Sequence, residues 1–186
     1  MNNIRILWET SFTENLVDLF LEASKEKGSV LFNPSITREK AKEILLTQAE
    51  LMKDTTKTAF CFTKIFVKSE IIGFSLVNIY TPEYRKSVDP SSYRYRDFNL
   101  IESKCISSLN ASWYRLGYFF VKPEYRGEGV GSKTLKEFCL KHKCVIYQCD
   151  ENNTSSLKLA YKLLKNYGLQ PNPDGSDGNY YTFFSL

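Results

Sequence analysis

The chain has 186 residues, of which 42% are hydrophobic, 15% aromatic and 25% charged. That composition fits one globular domain with a core large enough to need neither disulfides nor a structural metal, and it excludes disordered and fibrous classes. The formal net charge of +4 is spread along the chain, which suits an anionic ligand but falls short of a basic patch, so no nucleic-acid partner is expected.

No apolar run approaches the ~18 residues of a membrane span, and the Met1-Asn-Asn-Ile-Arg5 start lacks the order of a secretory signal. No membrane partner and a cytoplasmic location are therefore expected. Cys61, Cys105, Cys139, Cys144 and Cys149 are odd in number and form no C-x-x-C pair, which suggests reduced, packing cysteines. His142 is the only histidine and sits between Lys141 and Lys143 as a surface-like residue, so neither a metal cofactor nor a Ser-His-Asp triad is expected.

In chain order, Ile4 to Trp8 predicts a short strand and Ser11-Phe-Thr13 a helix cap. Phe12, Leu16, Leu19, Phe20 and Ala23 then mark a helix that stops at Lys25-Glu-Lys-Gly28. Asn33 to Thr37 caps a second helix, with Ala41, Ile44, Leu45 and Ala49 on one face. Thr58 to Val67 and Ile71 to Ile79, joined by Lys68-Ser-Glu70, predict a β-hairpin. From Tyr80 to Ser112 prolines, serines, tyrosines and charges mix without a period, which predicts a long irregular insertion at about 80–112 in a single domain over 1–186.

Trp113 to Val121 reads as a strand, Val130 to His142 as a helix and Cys144 to Cys149 as a buried strand. Asn152 to Ser156 caps a helix reaching about Asn166, with Gly168 just past its end, and Asn179 to Leu186 is a closing strand. The sum is an α/β chain whose six strands form a mixed sheet flanked by helices.

Between a strand and a helix stands Arg126-Gly-Glu-Gly-Val-Gly131. Glycines at alternate positions let backbone approach a ligand closely, and the following helix offers free N–H groups and its positive dipole end to an anion. The dinucleotide fingerprint needs a glycine where Ser132 stands, and the Walker A pattern needs its lysine one position before Lys133. Both nucleotide readings miss narrowly.

The strand ending in Val121, then Lys122-Pro123, then Arg126 and the glycine series opening a helix, resembles the coenzyme A motif of the GNAT acetyltransferase superfamily. The resemblance implies a GNAT-like acyl-CoA N-acyltransferase fold with a mostly antiparallel central sheet, and acetyl-CoA as co-substrate. It implies that backbone groups of Phe119, Phe120 and Val121 meet the pantetheine amides like an added strand, and that the pyrophosphate rests on the segment Arg126, Gly127, Glu128, Gly129, Val130, Gly131 and Ser132. On the next helix it places Asn153 and Ser156 at the cofactor and makes Tyr161 the acid for the leaving thiolate. Asn153 and Tyr161 are one residue farther apart than in the family pattern, and Leu169 follows Gly168 where the family has Phe.

An amine must shed a proton before it attacks a thioester. The strand from Trp113 to Val121 contains no carboxylate, which leaves Tyr118, Asp97 or Glu102 acting through water as candidates for that step. No cysteine has a histidine beside it, so direct attack in a ternary complex is favoured over an acyl-cysteine route. The expected activity is N-acetyl transfer to a small-molecule amine or a protein amino group by a monomer or homodimer. The alternative is a non-catalytic acyl-CoA-binding module.

Overall fold

The computed structural model describes residues 4–26, 33–51, 59–103, 110–171 and 178–185. Gly28, Thr58, Cys105 and most of the turn region after Pro171 lie outside the described residues, as does the side chain of Cys61. Fourteen elements follow in order. They are β1 (Ile4–Thr10), α1 (Asn15–Ser24), α2 (Arg38–Leu51), β2 (Ala59–Val67), β3 (Glu70–Tyr80), α3 (Pro82–Ser87), α4 (Tyr93–Glu102), β4 (Trp113–Val121), a 3-10 turn (Pro123–Tyr125), α5 (Val130–Lys141), β5 (Val145–Asp150), α6 (Thr154–Leu163), β6 (Lys165–Pro171) and β7 (Asn179–Ser185).

The strands form one sheet in the order β1-β2-β3-β4-β5-β7-β6. Every pairing is antiparallel except β4 with β5. The expected hairpin is present, with Val67 opposite Glu70 and a turn in which Lys68 takes φ +55°. Thr37 caps α2 by accepting from the Lys40 N–H at 3.2 Å. Arg38 and Lys42 of that helix pair with Asp18 and Glu14 at the start of α1.

Helices cover both faces of the sheet. Leu16, Leu19 and Phe20 of α1 and Ala41 and Leu45 of α2 pack on Phe62, Phe74, Leu76 and Phe120. On the opposite face Leu135 and Phe138 of α5 and Ala160 of α6 pack on Val77, Leu116, Val145, Tyr147 and Phe183. Full burial of each such valine, leucine or phenylalanine removes enough apolar surface to contribute about 1.5–3 kcal/mol.

Four expectations are corrected. The segment expected to be an irregular insertion carries α3 and α4. Thr81 accepts from Tyr84 N–H at 3.1 Å with Pro82 in the first turn, and Ser92 accepts from Tyr95 N–H at 3.2 Å. These helices are held by aromatic packing rather than by a regular apolar stripe: Phe98 meets Tyr80 at 5.0 Å and Trp113 at 5.8 Å between ring centroids. Beneath them buried Arg85 donates to Tyr80 O and Ala111 O, both at 2.9 Å, and its guanidinium lies 3.9 Å from the Trp113 ring.

Second, the helix expected to reach Asn166 stops at Leu163, and a seventh strand, β6, follows. Gly168 is no helix stop. It takes φ +138° where the β6–β7 register shifts between Asn166 and Leu169, a strand irregularity that glycine accommodates. Third, His142 is buried, stacked at 3.8 Å on Tyr114 and 4.7 Å from Phe138. The first helix also starts without a side-chain cap, at Glu14.

Candidate active site

The centre of interest is the carboxyl end of the parallel pair β4 and β5. Their register runs from Tyr114↔Val145 to Leu116↔Tyr147 and stops there, although β4 continues to Val121 and β5 to Asp150. Each strand keeps its outer neighbour: β4 stays with β3 as far as Val121↔Gly73, and β5 with β7 as far as Asp150↔Tyr180. Among the described residues the β4–β5 register ends there, and the sheet opens as a wedge along the edge of β4 from Gly117 onward.

A bulge in β4 starts the wedge. Phe74 stands opposite Phe120 and Leu76 opposite Gly117, so two steps along β3 match three along β4. The surplus is absorbed at Tyr118, a non-glycine residue at φ +46°, a conformation that costs about 1–3 kcal/mol. Ser75 Oγ donates to Gly117 O at 2.8 Å and fixes the bulge from the β3 side. Tyr118 is 40% exposed, while Phe119 packs inward beside Gly131.

Past Val121 the chain makes its 3-10 turn and enters the glycine loop. Gly127 and Gly129 take φ +79° and +80°, and a Cβ on either would meet nothing within 4 Å. Both glycines are thus required by backbone conformation, and the space in front of them is open. Gly129 caps α5, and Lys133 N–H closes the first turn on Gly129 O at 2.9 Å. The amides of Val130, Gly131 and Ser132 are the free first-turn donors of that helix.

The side chains of the loop serve mainly to hold it. Arg126 Nε donates to Val121 O at 2.7 Å, its Nη2 lies 2.7 Å from Glu26, and the guanidinium sits 5.4 Å from the Phe120 ring. Lys122 and Tyr125 both reach Glu70, at 2.7 and 2.8 Å, and these hydrogen bonds hold its carboxyl below the ordinary glutamate range. Val130 is buried with Ile65, Val67, Ile72 and Val121, whereas Glu128 is exposed.

Across the wedge, Asn153 Oδ1 caps α6 by accepting from Ser156 N–H at 3.1 Å. Ser156 Oγ lies 2.5 Å from the hydroxyl of Tyr147. Burial raises the Tyr147 phenol above its ordinary range and pushes the Cys149 thiol up to about 12, against an opposing hydrogen bond from Ser156.

The expected site residues divide accordingly. The structure brings Phe119, Phe120, Val121 and the loop from Arg126 to Ser132 to one side of the wedge, with Asn153 and Ser156 at the start of α6 beyond it. Tyr118 stands at the bulge. Tyr161 is 54% exposed, its ring is edge-on to Tyr181 at 6.2 Å and Phe183 at 5.1 Å, and it is hydrogen-bonded to Tyr181. It is engaged by β7, on the side of β5 away from β4. Glu102 lies 3.6 Å from Arg85; the side chain of Asp97 is outside the described residues.

Sequence reasoning missed Tyr147, Ser75 and Gly73. The alternation of Val145, Tyr147 and Cys149 could have placed Tyr147 on one face, but nothing in it signals a partner nine residues on. A Cβ on Gly73 would lie 2.5 Å from Phe120 O, a contact only the sheet register creates.

The fold is shared with solved N-acetyltransferases. A ribosomal L7/L12 alpha-N-protein acetyltransferase, RimL, in complex with coenzyme A is 13% identical, with 97% of this chain and 93% of that chain covered and a TM-score of 0.64. An acetyltransferase from Salmonella typhimurium that modifies the N-terminal serine of L7/L12 is 11% identical, with coverage of 98% and 94% and a TM-score of 0.64. A spermidine N-acetyltransferase chimera from Vibrio cholerae and hSSAT is 11% identical, with coverage of 98% and 95% and a TM-score of 0.60. No curated protein matches the sequence. The model of the Acetyltransferase (GNAT) family matches residues 30–164, a span that contains the bulged strand, the glycine loop and the start of α6, and the chain belongs to that family of N-acetyltransferases.

Proposed function

We propose that the protein binds acetyl-CoA in the wedge and transfers the acetyl group to a primary amine by direct attack in a ternary complex. The observation that carries this reading is the coincidence of an unpaired strand edge, from Gly117 to Val121, with a glycine-opened helix start at its end. The pantetheine amides pair with the backbone of Phe119, Phe120 and Val121. The pyrophosphate rests on amides between Arg126 and Ser132, in the open space before Gly127 and Gly129. Asn153 and Ser156 form the opposite wall. When bound, acetyl-CoA supplies the thioester that the amine attacks.

The acceptor enters from the other face of the sheet. There Tyr80, Arg94, Phe98, Arg115 and Gln148 line a small cavity where β4 and β5 part, and Arg115 donates to the Tyr80 hydroxyl. Arg94 and Phe98 come from α4, so the segment between β3 and β4 forms the acceptor wall. Tyr118, exposed at the bulge, is the candidate for passing the amine proton to water.

The test is thiol release from acetyl-CoA with spermidine and with a peptide bearing a free N-terminal serine, alongside calorimetric binding of coenzyme A. Thiol release that depends on an amine supports transfer. Coenzyme A binding with no thiol release across a wider amine panel would assign the chain to the non-catalytic acyl-CoA-binding class. Absence of binding would remove the assignment of the wedge altogether.

A further inference from the structure

On the face of the sheet covered by α3 and α4, two arginines meet where β4 and β5 part. Arg115 of β4 stands opposite Ile146, one pair before the β4–β5 register ends, and Gln148 is the first residue of β5 past that end. Arg94 and Phe98, four apart on α4, share one helix face and close over Tyr80, Arg115 and Gln148. The space enclosed is about 10 Å³, room for one water-sized group.

A phenol hydroxyl meets each guanidinium. Arg115 donates to the Tyr80 hydroxyl, and burial raises that phenol above its ordinary range, so Tyr80 brings no negative charge. Arg94 Nη1 donates to Tyr84 Oη at 2.8 Å, and Tyr84 stacks on Tyr80 at 5.7 Å between ring centroids. Gln148 Nε2 donates to Thr182 Oγ1 at 3.1 Å. Among the described residues no carboxylate lines the cavity. Two carboxylates of the same segment are engaged elsewhere: Glu102 lies 3.6 Å from Arg85, and Asp89 accepts from the N–H and the hydroxyl of Ser91 at 2.8 and 2.9 Å.

We infer, on the acetyl-transfer reading above, that this cavity is an anion subsite of the acceptor, so that the amine acetylated carries a carboxylate close to its nitrogen. A free amino acid has that chemistry, and so does an amino-terminal residue followed by an acidic side chain. Arginine suits the task because it stays charged and its planar fork matches carboxylate oxygens. A polyamine would instead bring further positive charge toward two guanidiniums. The same field favours the neutral form of the acceptor nitrogen over its ammonium, with the proton going to solvent. That help is apt beside a β4 strand that holds no carboxylate to take the proton.

The experiment measures thiol release by wild type, Arg94→Gln, Arg94→Lys and Arg115→Gln with matched acceptors. Serine is compared with serinamide, the peptide Ser-Asp-Ala-amide with Ser-Asn-Ala-amide, and all four with spermidine. Coenzyme A affinity and melting temperature are measured on each variant. A hydrogen bond to a charged group changes affinity by about 10- to 100-fold. In wild type the carboxylate member of at least one pair is expected to exceed its neutral partner, and spermidine, by at least ~10-fold in kcat/KM. Preference within the serine pair marks a free amino acid, and within the peptide pair an acidic amino terminus. Arg94→Gln is expected to raise KM for the favoured acceptor ~10-fold, with KM for its neutral partner and coenzyme A affinity within about twofold, and Arg94→Lys to restore part of the preference.

Equal kcat/KM within both pairs, or a preference for the neutral members or for spermidine, would overturn the anion subsite while leaving acetyl transfer in place. So would an Arg94→Gln variant whose KM rises equally for both members of the favoured pair. A wild type that releases no thiol with any acceptor overturns both. If Arg115→Gln melts below the assay temperature, Arg94→Gln decides alone: a lost preference supports the subsite, and an unchanged one overturns it.

Discussion

Gly73 of β3 sits so close to Phe120 of β4 that a Cβ on it would lie 2.5 Å from the Phe120 carbonyl oxygen, with Val121 Cα at 3.3 Å behind it. Both contacts are with backbone, so no side-chain rotation relieves them. Gly73→Ala is expected to force β4 outward at its bulged end and to destabilise the fold by about 1–3 kcal/mol. A denaturant midpoint unchanged from wild type would contradict the close approach.

Gly129 requires φ +80° but faces open space, which separates two effects. Gly129→Ala adds only the strain of a left-handed alanine, about 1–2 kcal/mol, and is expected to keep coenzyme A binding within tenfold. Gly129→Asp adds a carboxylate where the pyrophosphate is proposed to rest and is expected to abolish binding in calorimetry. Equal affinities for the two variants would locate the phosphate elsewhere.

Arg85 joins the end of β3, the start of β4 and α3 through two carbonyls and one aromatic face. Arg85→Met keeps much of the stem but leaves buried carbonyl groups without their charged donor, at about 1–3 kcal/mol. The variant should melt earlier and, if the proposed acceptor wall on α4 is right, also lose acceptor affinity through the shift of that helix. Urea unfolding and KM for the amine read the two consequences separately.

Glu70 is held below the ordinary glutamate range by Lys122 and Tyr125. A carboxyl whose folded pKa is depressed contributes stability above its unfolded pKa and loses it as pH falls through the folded value. Wild type should therefore lose stability relative to Glu70→Gln on acidification from the ordinary glutamate range downward, with the difference levelling once Glu70 is protonated. The effect is small because the group is exposed, and melting temperatures of the two proteins between pH 3 and pH 7, compared at about the same ionic strength, measure it.

The donor half of the candidate site could be proposed from sequence because its signals are local. Arg126, the three glycines and the helix after them suggest a phosphate cradle from seven consecutive residues, and Thr37 and Asn153 announce caps that the structure contains. The bulge was not legible, since its left-handed residue is Tyr118 and a glycine one position earlier offers no reason to expect it there. Helices α3 and α4 carried readable caps in Thr81 and Ser92, but their tyrosines and arginines hid any period; what holds them is distant in sequence, on Trp113 and at Ala111. The wedge itself is a property of register. Nothing in Leu116 or Tyr147 says that pairing stops with them.

Three residue pairs are all that zip β4 to β5, between a four-stranded amino-terminal half of the sheet and a three-stranded carboxyl-terminal half. A molecule laid along Gly117 to Val121 would lengthen that seam by acting as a temporary strand. Occupancy would then register as mechanical reinforcement between the halves, with the amides at the mouth of the seam exchanging more slowly with solvent and the two halves unfolding more nearly as one unit.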